Sequence, residues 1–120
     1  MPEQHVIIKE IFDLSDTIQE GLQYLEKRMG EGHFEDTDYL FDDIKEAFKS
    51  ISRAIEPVIA EQKILGELTE KFSLALEKMS TNYENPKLEI ARMDLQFVLF
   101  PAYKGWQAEV QKCFAHLIES

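Results

Sequence analysis

From the start of the chain, apolar residues fall at Ile7, Ile11, Leu14, Ile18, Leu22, Leu25 and Met29. These alternating steps of four and three keep to one face of an α-helix. The spacing predicts a first helix over about residues 4 to 29, with Ile8 and Phe12 widening the stripe. Gly21 stands inside it, where glycine costs roughly 1 kcal/mol against alanine, and so predicts the close approach of a neighbouring helix. Gly30-Glu31-Gly32 ends the pattern, two glycines supplying a left-handed cap and a turn. A second helix is expected from near Glu35, with Leu40, Phe41, Ile44, Ala47, Phe48, Ile51, Ile55 and Val58 on its core face. Asp42, Asp43, Glu46, Lys49 and Arg53 take the other face, which makes it amphipathic. Pro57 removes one ladder hydrogen bond, and the end is placed near residue 60, with Pro57 or Gly66 as alternatives.

The pattern restarts at Leu65, Leu68, Phe72, Leu76 and Met79, predicting a third helix over about residues 64 to 82. Ser80-Thr81-Asn82-Tyr83-Glu84 reads as a polar link, and Asn85-Pro86 as an N-cap followed by proline at the first helical position. From there Leu88, Leu95, Leu99, Ala102, Trp106, Val110, Cys113 and Leu117 keep one stripe, in phase across Pro101. The expected fold is all-α: one domain over residues 1–120, an antiparallel four-helix bundle whose long C-terminal helix is kinked at Pro101.

Size and charge narrow the function. A chain of 120 residues is the length of one ordinary domain, and 44% hydrophobic against 30% charged residues is globular composition. The 23 Asp+Glu outnumber the 13 Lys+Arg for a net charge of −10, which repels a phosphate backbone, so neither nucleic acid nor an anionic membrane is an expected partner. The first fifteen residues lack a basic leader, and no apolar run approaches the ~20 residues needed to cross a bilayer. The single cysteine, Cys113, permits no internal disulfide, so a soluble protein of the reducing cytoplasm is expected, with Cys113 as a small buried hydrophobe.

Catalytic patterns do not occur: there is no G-x-S-x-G, H-E-x-x-H or P-loop, and the five glycines do not cluster. His5, His33 and His116 lie at an end, a loop and an end. No Glu-x-x-His of the di-metal bundle type sits on a core face, and His116-Leu117-Ile118-Glu119 has the reverse order. No catalytic residue, metal site or cofactor is therefore expected. The run from residue 31 to 46 holds Glu31, Glu35, Asp36, Asp38, Asp42, Asp43 and Glu46 against Lys45 alone. Counted as an EF-hand from Asp36, it puts Phe41 and Ala47 where glycine and glutamate are required, so calcium is not expected. Acids at a helix start meet the positive end of its dipole. The second reading of Glu35, Asp36, Asp38, Asp42, Asp43 and Glu46 is a docking surface for a basic partner.

The last helix carries a second apolar face: Ile90, Met93, Phe97 and Phe100, at steps of three, four and three, roughly opposite the core stripe. A helix apolar on two faces either is buried between neighbours or offers one face to a partner. These four residues are the candidate partner-binding site.

Three stretches carry a resemblance: Leu99-Phe100-Pro101-Ala102-Tyr103-x-x-Trp106-x-x-Glu109, Gly21-Leu22-x-Tyr24-Leu25 and Asp43-Ile44-x-x-Ala47-Phe48-x-x-Ile51. Together they resemble a functionally uncharacterised group of small acidic helical-bundle proteins from Gram-positive bacteria. The resemblance implies a bacterial cytoplasmic protein and brings no catalytic residue with it. A looser likeness, at the level of fold, is to flagellar and secretion export chaperones.

The expected function is that of a non-enzymatic interaction protein, an adaptor, regulator or chaperone-like bundle, self-associating as a homodimer through the second face of the last helix. The alternative is a small-molecule or metal-binding four-helix bundle with its pocket near Tyr24, Tyr103 and Trp106.

Overall fold

The structure is a computed structural model that describes residues 2–119, with side chains from Val6 to Ala115. The fold is all-α. In chain order it comprises α1 (Pro2–Gly30), a 3-10 turn (Phe34–Thr37), α2 (Asp38–Ile59) and α3 (Lys63–Glu84). A last continuous helical stretch follows in three parts: α4 (Leu88–Asp94), a π turn (Leu95–Leu99) and α5 (Phe100–Glu119). Both α1 and α3 pack against α2 and α5, so each long helix has two neighbours, while α4 leans on α3 and α1. At about 1.5 Å per residue, the 29 residues of α1 nearly span the 47 Å long axis.

The buried line of α1 is Ile8, Ile11, Ser15, Ile18, Leu22, Leu25 and Met29. Two inner positions differ from the apolar pattern. Ile7 is exposed and Ile8 takes its place, and Leu14 is only half-buried because Ser15 holds the inner position. The cause is polar: the Tyr103 hydroxyl on α5 donates to the Ser15 carbonyl at 2.8 Å and lies 3.4 Å from its Oγ. At Gly21, a Cβ would stand 2.9 Å from Ile44 Cγ1, so α2 comes as close as that glycine allows. The helix ends in a Schellman arrangement in which Gly32 N–H reaches the Met29 carbonyl and His33 N–H the Arg28 carbonyl. Only Gly32 is left-handed, at φ 81, and Gly30 remains helical.

The chain enters α2 through the 3-10 turn because Phe34 and Thr37 face inward. Thr37 Oγ1 donates to the Phe34 carbonyl at 2.6 Å and meets the Tyr83 hydroxyl at 3.0 Å, while the Tyr83 ring lies 4.5 Å from Phe34 and 5.1 Å from Phe41. α2 runs through Pro57 and stops at Ile59; near its end the missing N–H removes one bond only.

The boundary between α3 and α4 corrects the sequence reading. Ser80–Glu84 is the last turn of α3, held there by buried Asn82 and half-buried Tyr83. Asn85, extended at φ −140 as the residue before a proline must be, closes α3 instead of opening α4. Pro86 lies outside any helix, and Lys87 is the N-cap, without a side-chain cap bond.

The core is densest around Trp106. Its ring is 5.5 Å from Phe48, 5.3 Å from Phe72 and 6.1 Å from Tyr103, and its Nε1 donates to Thr69 Oγ1 at 3.1 Å.

Candidate functional site: the outer face of α4 and the π turn

On α4 and the π turn, Ala91, Leu95 and Leu99 form the buried line. Asp94 fastens the segment to α3, accepting from Asn82 Nδ2 at 2.8 Å and pairing with Lys78 at 3.4 Å. Nothing covers the opposite face among the described residues: Ile90 is 48% exposed, Met93 58% and Phe97 66%. Phe100 differs from the other three. It is half-buried against the core, with Lys104 Nζ 5.3 Å over its ring.

Pro101 accounts for the local geometry. It has no N–H to offer the Phe97 carbonyl, and its ring crowds that position in a regular α-helix. The chain widens instead, Phe100 N–H reaching back to the Leu95 carbonyl in an i→i+5 bond. The irregularity at Pro101 includes a π turn between α4 and α5, and such turns recur at functional sites.

Beside this face runs an open trough of about 510 Å³, between the end of α1 and the π turn. Met29 and Leu95 lie at its floor, Phe100 and Pro101 form a wall, and Arg92 and Lys104 stand at its rim with Glu26. Among the described residues, neither Arg92 nor Lys104 has a carboxylate within 4.0 Å. Sequence reading found the apolar row and missed the trough, because Glu26 and Met29 come from a helix some seventy residues away in sequence. The signal that was available is Pro101, which four residues after Phe97 forces an irregular turn.

The acidic residues Glu35, Asp36, Asp38, Asp42, Asp43 and Glu46 are all exposed, in the 3-10 turn and the first half of α2. Asp42 pairs with Lys45 at 3.4 Å and Glu46 with Lys49 at 3.5 Å, each within its own helix. Exposed Tyr39 stands among them.

The other candidate residues do not converge. Tyr103 and Trp106 are fully buried in packed side chains, but Tyr24 is 45% exposed, so the three share no cavity. Burial raises the Tyr103 and Tyr83 hydroxyls from 10.0 to about 12 each. Cys113 is half-buried instead of fully buried, and burial, then the neighbouring Glu109, raises its thiol. His33 sits in the turn after α1, 3.9 Å from Asp36, and the side chains of His5 and His116 lie outside the described residues. Among the described residues, no three His, Cys, Asp or Glu side chains group as metal ligands would, and no helix is long and apolar enough to cross a membrane.

A family model described as a domain of unknown function, DUF8042, matches residues 6–109. The chain belongs to the DUF8042 family. No curated protein and no solved structure matches it. The DUF8042 match takes in α1 through the start of α5, and so the apolar row, the π turn and both sides of the trough.

Proposed function

We propose that this DUF8042 protein is a non-enzymatic, cytoplasmic bacterial protein that works through protein–protein contact, self-associating through the outer face of α4 and the π turn. The observation that carries the reading is the exposed row Ile90, Met93 and Phe97 on a segment whose other side is fastened to α3. Three such side chains leave an apolar patch on the order of several hundred Å², the size at which exposed patches mark contact sites. A stable interface buries ~800 Å² per partner, so the row supplies a centre and the surface around it the remainder. The net charge of −10 opposes pairing of like copies, but salt screens that repulsion and leaves apolar burial in place.

The test is the mass in solution, by light scattering, of the wild type and of Met93→Glu with Phe97→Glu. An assembly is expected for the wild type at tens of micromolar, and a folded monomer for the variant. A monomeric wild type, or a variant that unfolds instead of dissociating, would refute the reading.

A further inference from the structure

The trough and the acidic start of α2 fit each other. Glu35, Tyr39, Asp42 and Glu46 fall at steps of four, three and four, a single stripe that runs from the 3-10 turn along α2, and all four are exposed. The stripe is acidic at both ends and has a bulky aromatic, Tyr39, 62% exposed, between them. The trough is cationic on balance: Arg92 and Lys104 stand at its rim against the single carboxylate of Glu26, and an apolar wall of Phe100 and Pro101 lies between the two cations. The lengths agree. Eleven residues separate Glu35 from Glu46 and twelve separate Arg92 from Lys104, about 16 and about 18 Å along a helix.

We infer that the occupant of the trough is the Glu35–Tyr39–Asp42–Glu46 stripe of a second copy of this chain, with Tyr39 against Phe100 and Pro101 and its flanking carboxylates on Arg92 and Lys104. This rests on the self-association reading and states which surface of the second copy meets the site. Phe97, three residues before Phe100, continues the same wall outward, so the exposed row adjoins the contact. Lys45 and Lys49 face the stripe from its own helix, but exposed pairs of that kind are weak and can yield to a partner's cations. Aromatic anchors ringed by charge are the usual centres of interfaces, and opposed charges raise the rate of encounter. A small ligand would leave much of its surface in water in so open a trough, whereas a helix laid along it covers the wall. Stripe and trough lie on different helices, so a single contact is head-to-tail and leaves the stripe of one copy and the trough of the other free.

The experiment uses two full-length variants. Arg92→Glu with Lys104→Glu blocks the trough and leaves the stripe; Tyr39→Ser with Asp42→Lys blocks the stripe and leaves the trough. Light scattering reads mass for the wild type, each variant and their equimolar mixture, and circular dichroism checks helicity. The wild type should grow in mass with concentration. Each variant alone should be monomeric, and the mixture should form a one-to-one dimer, because it holds one intact trough and one intact stripe. If the trough variant loses helicity, Arg92→Gln with Lys104→Gln replaces it. A stripe variant that associates as the wild type does, or a mixture that stays monomeric, overturns this inference and leaves self-association through the row standing. A monomeric wild type overturns both.

Discussion

The two parts of the last helical stretch carry the same kind of apolar residue and use it in opposite ways. In α5, Ala102, Tyr103, Trp106, Val110 and Phe114 are buried, because α1 and α3 flank the helix and Phe48 reaches it from α2. In α4 and the π turn, Ala91, Leu95 and Leu99 alone are buried, and Ile90, Met93 and Phe97 stand in solvent. The same two helices, α1 and α3, flank α5 and α4 alike; what separates the two parts is the outer face, polar in α5 at Lys104, Gln111 and Lys112 and apolar in α4 and the π turn. Apolar character on a helix reports that something covers it, whereas the identity of the cover is set by packing.

The largest break in this contrast is expected at Trp106. Trp106→Ala removes a fully buried ring with three aromatic neighbours and a hydrogen bond to Thr69, and should cost ~3 to 5 kcal/mol, read from the urea midpoint. A loss below about 1 kcal/mol would mean that α5 tolerates cavities and that the contrast with α4 is false.

The packing around α5 and that at the end of α3 should both weaken in alkali. The Tyr103 and Tyr83 hydroxyls are both raised by burial, from 10.0 to about 12, so folding favours their neutral forms. Their contribution is fully present below the unfolded value near 10 and is lost as pH rises through about 12. The urea midpoint should therefore fall between those two values, and less steeply for Tyr103→Phe than for the wild type. Equal slopes would show that Tyr103 ionises as freely folded as unfolded.

Much of this architecture was legible in the sequence because it rests on period. The buried residues Leu22, Ile51, Phe72 and Trp106 stand where the three-and-four spacing puts them, and Gly21 signalled the approach of α2. What period did not reveal is polar or distant. Ser15 sits in the core for a hydrogen bond to a residue 88 positions away, and Asn82 and Tyr83 keep α3 helical through a stretch whose composition reads as a link. The outer row was legible as a second apolar face, although Phe100 belongs half to the core. The trough was not, since its two sides meet only after folding.

A middle-sized effect should come from the clasp on α4. Asp94→Ala removes the acceptor of Asn82 and the partner of Lys78, leaving buried Asn82 without its oxygen, and should cost about 1 to 3 kcal/mol. Hydrogen exchange sharpens the comparison: amides of α4 should lose protection in this variant while those of α5 keep it. Uniform loss along both would mean that the two parts open as one unit.

The smallest effect on stability is expected where sequence alone would place a large one. Phe97 is an aromatic residue within a helix, in one apolar row with Met93 and Phe100, yet it is 66% exposed and makes little of the contact that a core phenylalanine makes. Phe97→Ser should change the unfolding free energy by no more than about 0.5 kcal/mol when measured dilute enough for the wild type to be monomeric. The condition matters, because association stabilises whatever it binds and would add a concentration-dependent increment to the wild type alone. Unfolding curves at two protein concentrations separate the terms: the curves of the two proteins should coincide at the lower one, and only that of the wild type should move at the higher. A loss of 2 kcal/mol or more in the dilute limit, about what burying a phenylalanine contributes, would place Phe97 in the protein's own core and erase the difference between α4 and α5.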